Sequence, residues 1–421
     1  MALLRRRLDL PPDPIPIARA LRGRPGLCWL WTASGDGPSF VACDPLATAR
    51  SLDPEPGLPL DPAGAGAGVP RWVGLLPYEA TRAIERRRGA APDPRPEPDL
   101  CAPLWLRYGA VLRIDREVEI IGDDPSAVAR LEALARRQGG PAPLQLTWRA
   151  PPEADARHEE RIERALELIA AGELYQVNLA RRFDLRLSGD SVELLAALAE
   201  HASAPYAAAL ELGELQVASL SPELFLSLDA AGVALTRPIK GSRPRGRTPA
   251  EDRALIAELD ADPKERAELT MVIDIERNDL GRLAEPASVE LCEPPAVHTL
   301  PSIHHRIAGV RGRLRSGVSR SDLLTVMLPS GSITGAPKVR AMEAIAELEP
   351  HRRGLYTGAI GYLGHDGGLT LAMAIRTVTS RGGLAHFFAG GGIVADSDPA
   401  REVDETRWKA LGVLALAGKP P

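Results

Sequence analysis

The chain has 421 residues, 44% of them hydrophobic and 25% charged, with a net charge of −5, so it can bury a large core and carries no basic stripe of the kind that holds nucleic acid. Four cysteines (Cys28, Cys43, Cys101 and Cys292) lack CxxC spacing, which argues against a disulfide scaffold and for a reducing compartment. No apolar segment follows the arginines of Met1–Leu10 and no run of about 18 apolar residues occurs, so a cytoplasmic location without a membrane span is expected.

The N-terminal third shows short strand-like runs at Leu27–Thr32, Ser39–Ala42 and Ala110–Asp115, and a helix at Pro125–Arg137. Proline- and glycine-rich stretches punctuate it at Leu52–Pro70, Arg88–Pro98 and Gly139–Pro152. The last reads as a boundary between an N-terminal region, residues 1–145, and a catalytic segment, residues 155–416. Beyond it, Ile162, Ala165, Leu166 and Ile169 form a helical stripe closed by Gly172, and Tyr175–Leu187 largely alternates like a strand. The alternation of Leu224–Thr236 around Asp229–Gly232 predicts a hairpin that leaves Lys240 just past a strand end. Helices are predicted at Pro263–Arg277, Ser321–Leu328, Pro337–Glu347 and Ala400–Leu416. Between the last two, strands at Tyr356–Leu363, Thr370–Val378 and Leu384–Phe388 are joined by the short turns Gly364–Gly368 and Arg381–Gly383, which favours antiparallel pairing.

Several constellations can carry chemistry. Lys240, in Pro238-Ile-Lys-Gly-Ser-Arg243, is a potential nucleophile, since a loop on a rigid strand commonly bears function. Glu265 with Glu268, and Glu402 with Glu405, are spaced three apart on predicted helices, so each pair shares a face: a solvated acidic surface, or oxygen ligands of the kind Mg²⁺ accepts. Gly331-Ser-Ile-Thr-Gly-Ala-Pro-Lys338 lacks the Gly-Lys-Ser/Thr ending of a nucleotide phosphate loop, but offers a glycine loop feeding a helix with Pro337 at its first position, where free N–H groups can face an anion. Gly390, Gly391 and Gly392 permit close backbone approach to a ligand or a tight turn. Arg376 and Lys409 supply cations for an acidic ligand, and His305 and Glu223 are candidate proton-transfer groups. No cysteine stands in a Gly-x-Cys-x-Gly elbow.

Taken together, Leu174-Tyr-Gln-Val-Asn-Leu179, Ser221-Pro-Glu-Leu-Phe225, Arg237-Pro-Ile-Lys-Gly241, Glu265–Gly281 with Arg277-Asn-Asp279, Gly331–Met342, Gly358-Ala-Ile-Gly-Tyr362, Ala389-Gly-Gly-Gly392 and Glu402-Val-Asp-Glu-Thr406 resemble the chorismate-utilising family. That family contains anthranilate synthase component I, aminodeoxychorismate synthase component I, and the isochorismate and salicylate synthases. The resemblance spans roughly residues 160–416, with a looser N-terminal match through Ser39–Pro45 and Trp72–Glu79. It implies an α/β (α+β) fold of antiparallel sheets packed as a sandwich flanked by helices, the N-terminal region contributing strands to one large unit.

The resemblance also implies roles. Anthranilate synthases typically carry alanine where Lys240 stands, whereas lysine is similar to the aminodeoxychorismate synthases. Lys240 would then attack C2 of chorismate with loss of the C4 hydroxyl, which requires an unprotonated amine, and ammonia entering C4 would release it. The product, 4-amino-4-deoxychorismate, feeds 4-aminobenzoate and folate. By the same resemblance Glu223 would protonate the departing hydroxyl and His305 would lie beside the ring. Glu268 and Glu405 would hold Mg²⁺ on the ring carboxylate, with Glu265 and Glu402 at or just outside its ligands. Ser242, Thr334, Gly335, Tyr356, Arg376, Gly390–Gly392 and Lys409 would bind the substrate. A separate glutamine amidotransferase would supply ammonia, since no glutaminase elbow is found in the 421 residues. The sequence departs from the family at Ser242 for the usual threonine, at Leu269 for Asn or His, and at Ser330 for glycine. Anthranilate synthesis and a silent chorismate-binding subunit are the rival expectations.

Overall fold

The computed structural model of the chain describes residues 3–35, 37–62, 64, 66–81, 93–150 and 152–419. Residues 88–92 of the second proline-rich stretch lie outside them. The described residues build two antiparallel sheets, one 12-stranded and one 10-stranded. In the larger, the strands run in the order Leu4–Leu8, Val118–Gly122, Ala110–Ile114, Ser39–Ala42, Leu27–Trp31, Tyr206–Leu212, Leu215–Ser221, Thr377–Arg381, Leu384–Ile393, Gln176–Ser188 and Gly335–Ala336, with Gln145–Trp148 also pairing along Gln176–Ser188. In the smaller, the order is Ile239–Pro244, Ile303–Arg313, Val233–Arg237, Leu224–Leu228, Leu369–Met373, Ala359–Gly364, Pro70–Leu76, Leu104–Arg107 and Ala47–Ala49, with Glu290–Thr299 alongside Ile303–Arg313. Strands from both sides of the 139–152 stretch therefore share each sheet.

The sheets face each other across an apolar layer. Phe40, Ala42, Val111, Leu210 and Val217 of the larger sheet pack there with Val73, Leu75, Leu106 and Ile360 of the smaller. Val41, between Phe40 and Ala42, points the other way, as the two-residue period of a strand requires, into a core shared with the helices Pro14–Ala20, Pro125–Ala135, Ser191–His201 and Pro399–Ala417. A further core gathers the helices Asp155–Ala170, Pro263–Gly281, Arg320–Met327 and Lys338–Leu348 through Ile162, Leu269, Leu324 and Ile345. The fold is thus the expected antiparallel sandwich flanked by helices. No helix among the described residues is long and apolar enough to cross a membrane.

Four local expectations change, each for a physical reason. Thr370–Val378 is not one strand: Leu369–Met373 belongs to the smaller sheet and Thr377–Arg381 to the larger, and the chain turns between them at Arg376, which takes φ +51°. Apolar alternation continues through the break because both halves are buried, so periodicity alone does not mark it. Ile239–Pro244 is itself a strand on Ile303–Arg313, its register shifting between Ile239 and Ser242, where Gly241 has φ +84°. Lys240 therefore sits in an irregular edge strand rather than beyond one. Gly390–Gly392 are not a turn but the interior of the strand Leu384–Ile393, pressed so close to Gln176–Ser188 that a Cβ on Gly390 would lie 2.4 Å from the Leu179 carbonyl. Finally, Gly331–Thr334 forms a single helical turn and Pro337 caps the next helix rather than opening it.

Within the smaller sheet, the N-terminal strands Pro70–Leu76 and Leu104–Arg107 meet at one tight contact. Gly74 faces the fully buried Trp105, and a Cβ there would stand 2.3 Å from its ring. Gly74→Ala is expected to destabilise the protein by about 1–3 kcal/mol through overpacking. Thermal melts compare it with Gly57→Ala, whose Cβ meets nothing within 4 Å and which should leave the melting temperature unchanged.

Candidate active site

Two crossings between the sheets position the first pair of groups. The chain leaves Leu215–Ser221 in the larger sheet and enters Leu224–Leu228 in the smaller, so Glu223 lies in one crossing while Arg376 lies in the other. Leu220 N–H donates to the Arg376 carbonyl at 3.1 Å and Met373 N–H to the Glu223 carbonyl at 3.0 Å, which locks the crossings together. Burial raises the Glu223 carboxyl to about 7, against the opposing pull of Lys240, a Ser332 hydrogen bond and Lys409. Arg376 loses some basicity to burial, partly restored by Glu223. Its side chain has no hydrogen bond or ion pair to a described residue, which leaves it free to meet an anion.

Lys240 comes to the same place from the edge strand. Its Nζ donates to the Ser332 carbonyl at 2.9 Å, and Ser332 also draws the Glu223 carboxyl down against its burial. The amine and the protonatable carboxyl thus meet at one residue of the Gly331–Thr334 turn. Thr334 is buried, its hydroxyl donating to the Ser330 carbonyl at 2.8 Å, and Gly335 pairs with Val177 at φ +135°. His305 pairs across from Ser242, and its Nδ1 lies 2.7 Å from the Ser242 hydroxyl. Burial, with Arg376 adding to it, lowers the His305 ring to about 3. The imidazole is therefore neutral near pH 7, which limits it to hydrogen bonding and packing rather than donation from an imidazolium. Ser242 supplies the hydroxyl on which that orientation depends, so the loss of threonine's methyl leaves the contact in place.

The four glutamates also converge. A Cβ placed on Gly391 would stand 3.1 Å from Glu402 Oε2 and 3.4 Å from Glu405 Oε1, one on Gly392 3.5 Å from Glu268 Oε2, and one on Gly241 3.0 Å from Glu265 Oε2. The glycines thus leave room for carboxylates, which side chains would obstruct. Burial, then repulsion from Glu268 and Glu405, raises Glu265 to about 7, and Glu268 is raised by burial against the pull of Lys240 and Lys264. Burial pushes Glu405 up, but Lys409 at 2.6 Å outweighs it and holds the carboxyl below its ordinary value. Glu405 and Lys409 nevertheless keep 41% and 44% of their side-chain surface, so water reaches the pair and screening weakens it. Lys409 also donates to the Gly390 carbonyl at 2.8 Å. Beyond it, Tyr356 lies stacked on Phe388 at 5.1 Å, with the Arg353 guanidinium over the Tyr356 ring at 5.6 Å.

Among the described residues, no group of three or more His, Cys, Asp or Glu side chains is gathered as a ready-made metal site. Lysines stand among the carboxylates instead: Lys264 Nζ is 3.0 Å from Glu402 Oε1 and 3.8 Å from Glu268 Oε1. The residues still fit a hard divalent cation. Their donors are all oxygen, two of the carboxyls are raised by burial and like charge, and Glu402 Oε2 is buried without a hydrogen-bond partner.

Sequence reasoning assigned no role to four participants. Ser332 and Gln176 lie within recognised motifs, but their types gave no hint of contact; Gln176 Nε2 would stand 2.3 Å from a Cβ on Gly392. Lys264 could have been found, being four residues from Glu268 on one helix face. Arg353 could not, because its value is tertiary: it joins Glu349 at 2.6 Å to the carbonyls of Ile333 and Asn178.

Comparison with known proteins shows the family. The profile of the chorismate binding enzyme family matches residues 43–415. The chain is 41% identical to anthranilate synthase component 1 of Thermus thermophilus over 81% of its length and 76% of the relative's. It is 39% identical to aminodeoxychorismate synthase component 1 of Klebsiella aerogenes, over 90% and 84%. Among solved structures, anthranilate synthase component I from Streptococcus pneumoniae superposes with a TM-score of 0.75 at 29% identity, covering 89% of this chain and 91% of that one. The chain belongs to the chorismate binding enzyme family. It is an enzyme of the group formed by the anthranilate, aminodeoxychorismate and isochorismate synthases.

The raised Glu223 carboxyl carries a pH signature. In the unfolded chain it titrates near 4.5 and in the folded protein near 7, so folding keeps a proton that the unfolded chain releases. Its contribution to stability is complete below the lower value and is lost as pH rises to the upper, by up to about 3 kcal/mol. Glu223→Gln should remove that loss. Denaturant unfolding from pH 4.5 to 8 is expected to show the wild type losing stability relative to the variant, and a constant difference would contradict the raised value.

Proposed function

We propose that the chain is an aminodeoxychorismate synthase, converting chorismate and ammonia to 4-amino-4-deoxychorismate through a covalent Lys240 intermediate. The observation that carries the reading is the meeting of Lys240 and Glu223 at Ser332. In the first step the Lys240 amine would form a bond to C2 while the C4–oxygen bond breaks. Glu223, protonated up to about pH 7, would give its proton to the leaving hydroxyl, which departs as water. Ammonia would then bond to C4 as the C2–nitrogen bond breaks, returning the amine to Lys240. Before attack the amine must leave the Ser332 carbonyl and give up a proton. Arg376, Tyr356, Thr334 and the backbone at Gly335 and Gly390–Gly392 would bind the carboxylates of the substrate, and the neutral His305 would pack beside its ring.

Glu268 and Glu405, with Glu265 and Glu402, would hold Mg²⁺, which when bound would supply positive charge to the ring carboxylate. Ammonia would come from a partner amidotransferase, the printed "component 1" names of the relatives implying a second component. Consistent with that division, burial pushes Cys28 far above an ordinary thiol and Cys43 to about 12, so neither is a ready thiolate. The product would serve 4-aminobenzoate and folate synthesis.

Anthranilate synthesis is the second reading, favoured by the 41% identity to the Thermus protein. The deciding assay supplies chorismate, Mg²⁺ and ammonium to the pure chain. The proposed reaction yields an aminated product that retains its enolpyruvyl group, whereas anthranilate formation releases pyruvate. Without ammonia, intact-mass measurement should show an adduct of chorismate less one water, and Lys240→Arg, which stays protonated, should show none. The same adduct on the arginine variant would remove Lys240 from the mechanism.

Replacing Glu268 or Glu405 by Gln keeps shape while deleting an anionic donor. Turnover by either variant is expected to fall at least about a hundredfold at low Mg²⁺, with partial recovery as Mg²⁺ is raised. Wild-type Mg²⁺ dependence in both variants would rule out these ligands.

A further inference from the structure

Lys264 is out of place by the ordinary rules of helix electrostatics. It is the second residue of the helix Pro263–Gly281, where the helix dipole is positive and a lysine is disfavoured. Its ammonium is drawn instead to carboxylates on two elements, at 3.0 Å from Glu402 Oε1 on the opening turn of the C-terminal helix and 3.8 Å from Glu268 Oε1 on its own helix. Glu402 is 3% exposed, and its Oε1 also accepts from the Ser397 hydroxyl at 2.7 Å. Yet Oε2 of the same carboxyl is buried with no hydrogen-bond partner among the described residues, and it shares the space over Gly391 with Glu405 Oε1. One ammonium therefore satisfies one side of the group and leaves its other oxygen for a second cation.

The lysine can also withdraw. Its side chain keeps 43% of its surface, against 3% for Glu402, so its flexible stem has a solvent route while the carboxylate is fixed. Lys409 is tied differently, to Glu405 and the Gly390 carbonyl.

We propose that Lys264 is a tethered stand-in for the divalent cation: it holds Glu402 and Glu268 when the cation is absent and must swing off Glu402 for the cation to bind. The inference rests on the cation reading given above and adds that this chain carries its own competitor for the site. Lys264 thereby keeps the carboxylates apart from one another's repulsion in the cation-free enzyme and sets the affinity for Mg²⁺. It is a positioning residue, not one that touches the reacting atoms.

Calorimetric titration of Mg²⁺ alone into the wild-type chain, Lys264→Met and Lys264→Arg tests this. The methionine variant keeps the apolar stem without charge and should bind Mg²⁺ roughly tenfold more tightly, the scale of one charged hydrogen bond. The arginine variant keeps the charge and should stay near wild type. In the wild type, acetylation of the Lys264 amine, read by peptide mass spectrometry, should rise when Mg²⁺ replaces EDTA, and this holds the proposal to account even where the methionine variant does not fold. Unchanged or weaker Mg²⁺ binding by Lys264→Met, or labelling of Lys264 indifferent to Mg²⁺ in a protein that binds it, overturns the proposal alone. Absence of Mg²⁺ binding in all three proteins overturns the cation reading as well.

Discussion

The chain passes between its two sheets at Ser221–Leu224 and again at Ala374–Thr377, and the hydrogen bonds Leu220 N–H to Arg376 O and Met373 N–H to Glu223 O fasten these crossings side by side. A crossing must leave one ladder before joining the next, so its residues are released from strand geometry; Arg376 accepts a left-handed φ of +51° as a result. Both residues are consequently directed by sheets that are themselves fixed by the sandwich core. A carboxyl that burial raises to about 7 and a guanidinium are thereby held in one place by the two sheets.

Around that fixed pair the charges are balanced unevenly. Four carboxylates approach the glycine strand Gly390–Gly392 and the bulge at Gly241, and each has a nearby cation: Arg243 at 3.9 Å from Glu265, Lys264 between Glu268 and Glu402, Lys409 on Glu405. These contacts are partial. Glu265 still rises to about 7 and one oxygen of Glu402 stays unsatisfied, so the cluster retains an unmet demand for positive charge. The glycines matter here for space. Any side chain at Gly391 would touch two carboxylates at once.

How much of this was legible in the sequence depended on whether the information was local. The hairpin expected over Leu224–Thr236, the helix bearing Glu265 and Glu268 and the helix bearing Glu402 and Glu405 follow from alternation and spacing, and all appear close to their expected limits. The break at Arg376 was not legible, because apolar alternation on its two sides reads the same whether the strands share a sheet or not. Nor could spacing show that Pro337 caps its helix or that three glycines run through a strand, since both depend on Gln176–Ser188 arriving from elsewhere. The residue types of the site were visible through motifs. Their grouping, and the roles of Ser332 and Lys264, required the fold.

The proton inventory near Lys240 narrows the chemistry further. His305 and Glu223 looked interchangeable as proton-transfer groups from residue type, yet burial separates them in opposite senses: it favours the neutral form of each, which removes the proton from the imidazole and keeps it on the carboxyl. His305 at about 3 has no imidazolium to donate near neutral pH, and its Nδ1 is engaged with Ser242. Glu223 at about 7 keeps its proton up to near neutral pH, with Lys240 and Ser332 both acting on its carboxyl. Burial at the two positions thus has two effects, keeping a proton on the carboxyl and taking it from the imidazole, and under the proposed reaction the carboxyl is the group that a departing hydroxyl would need.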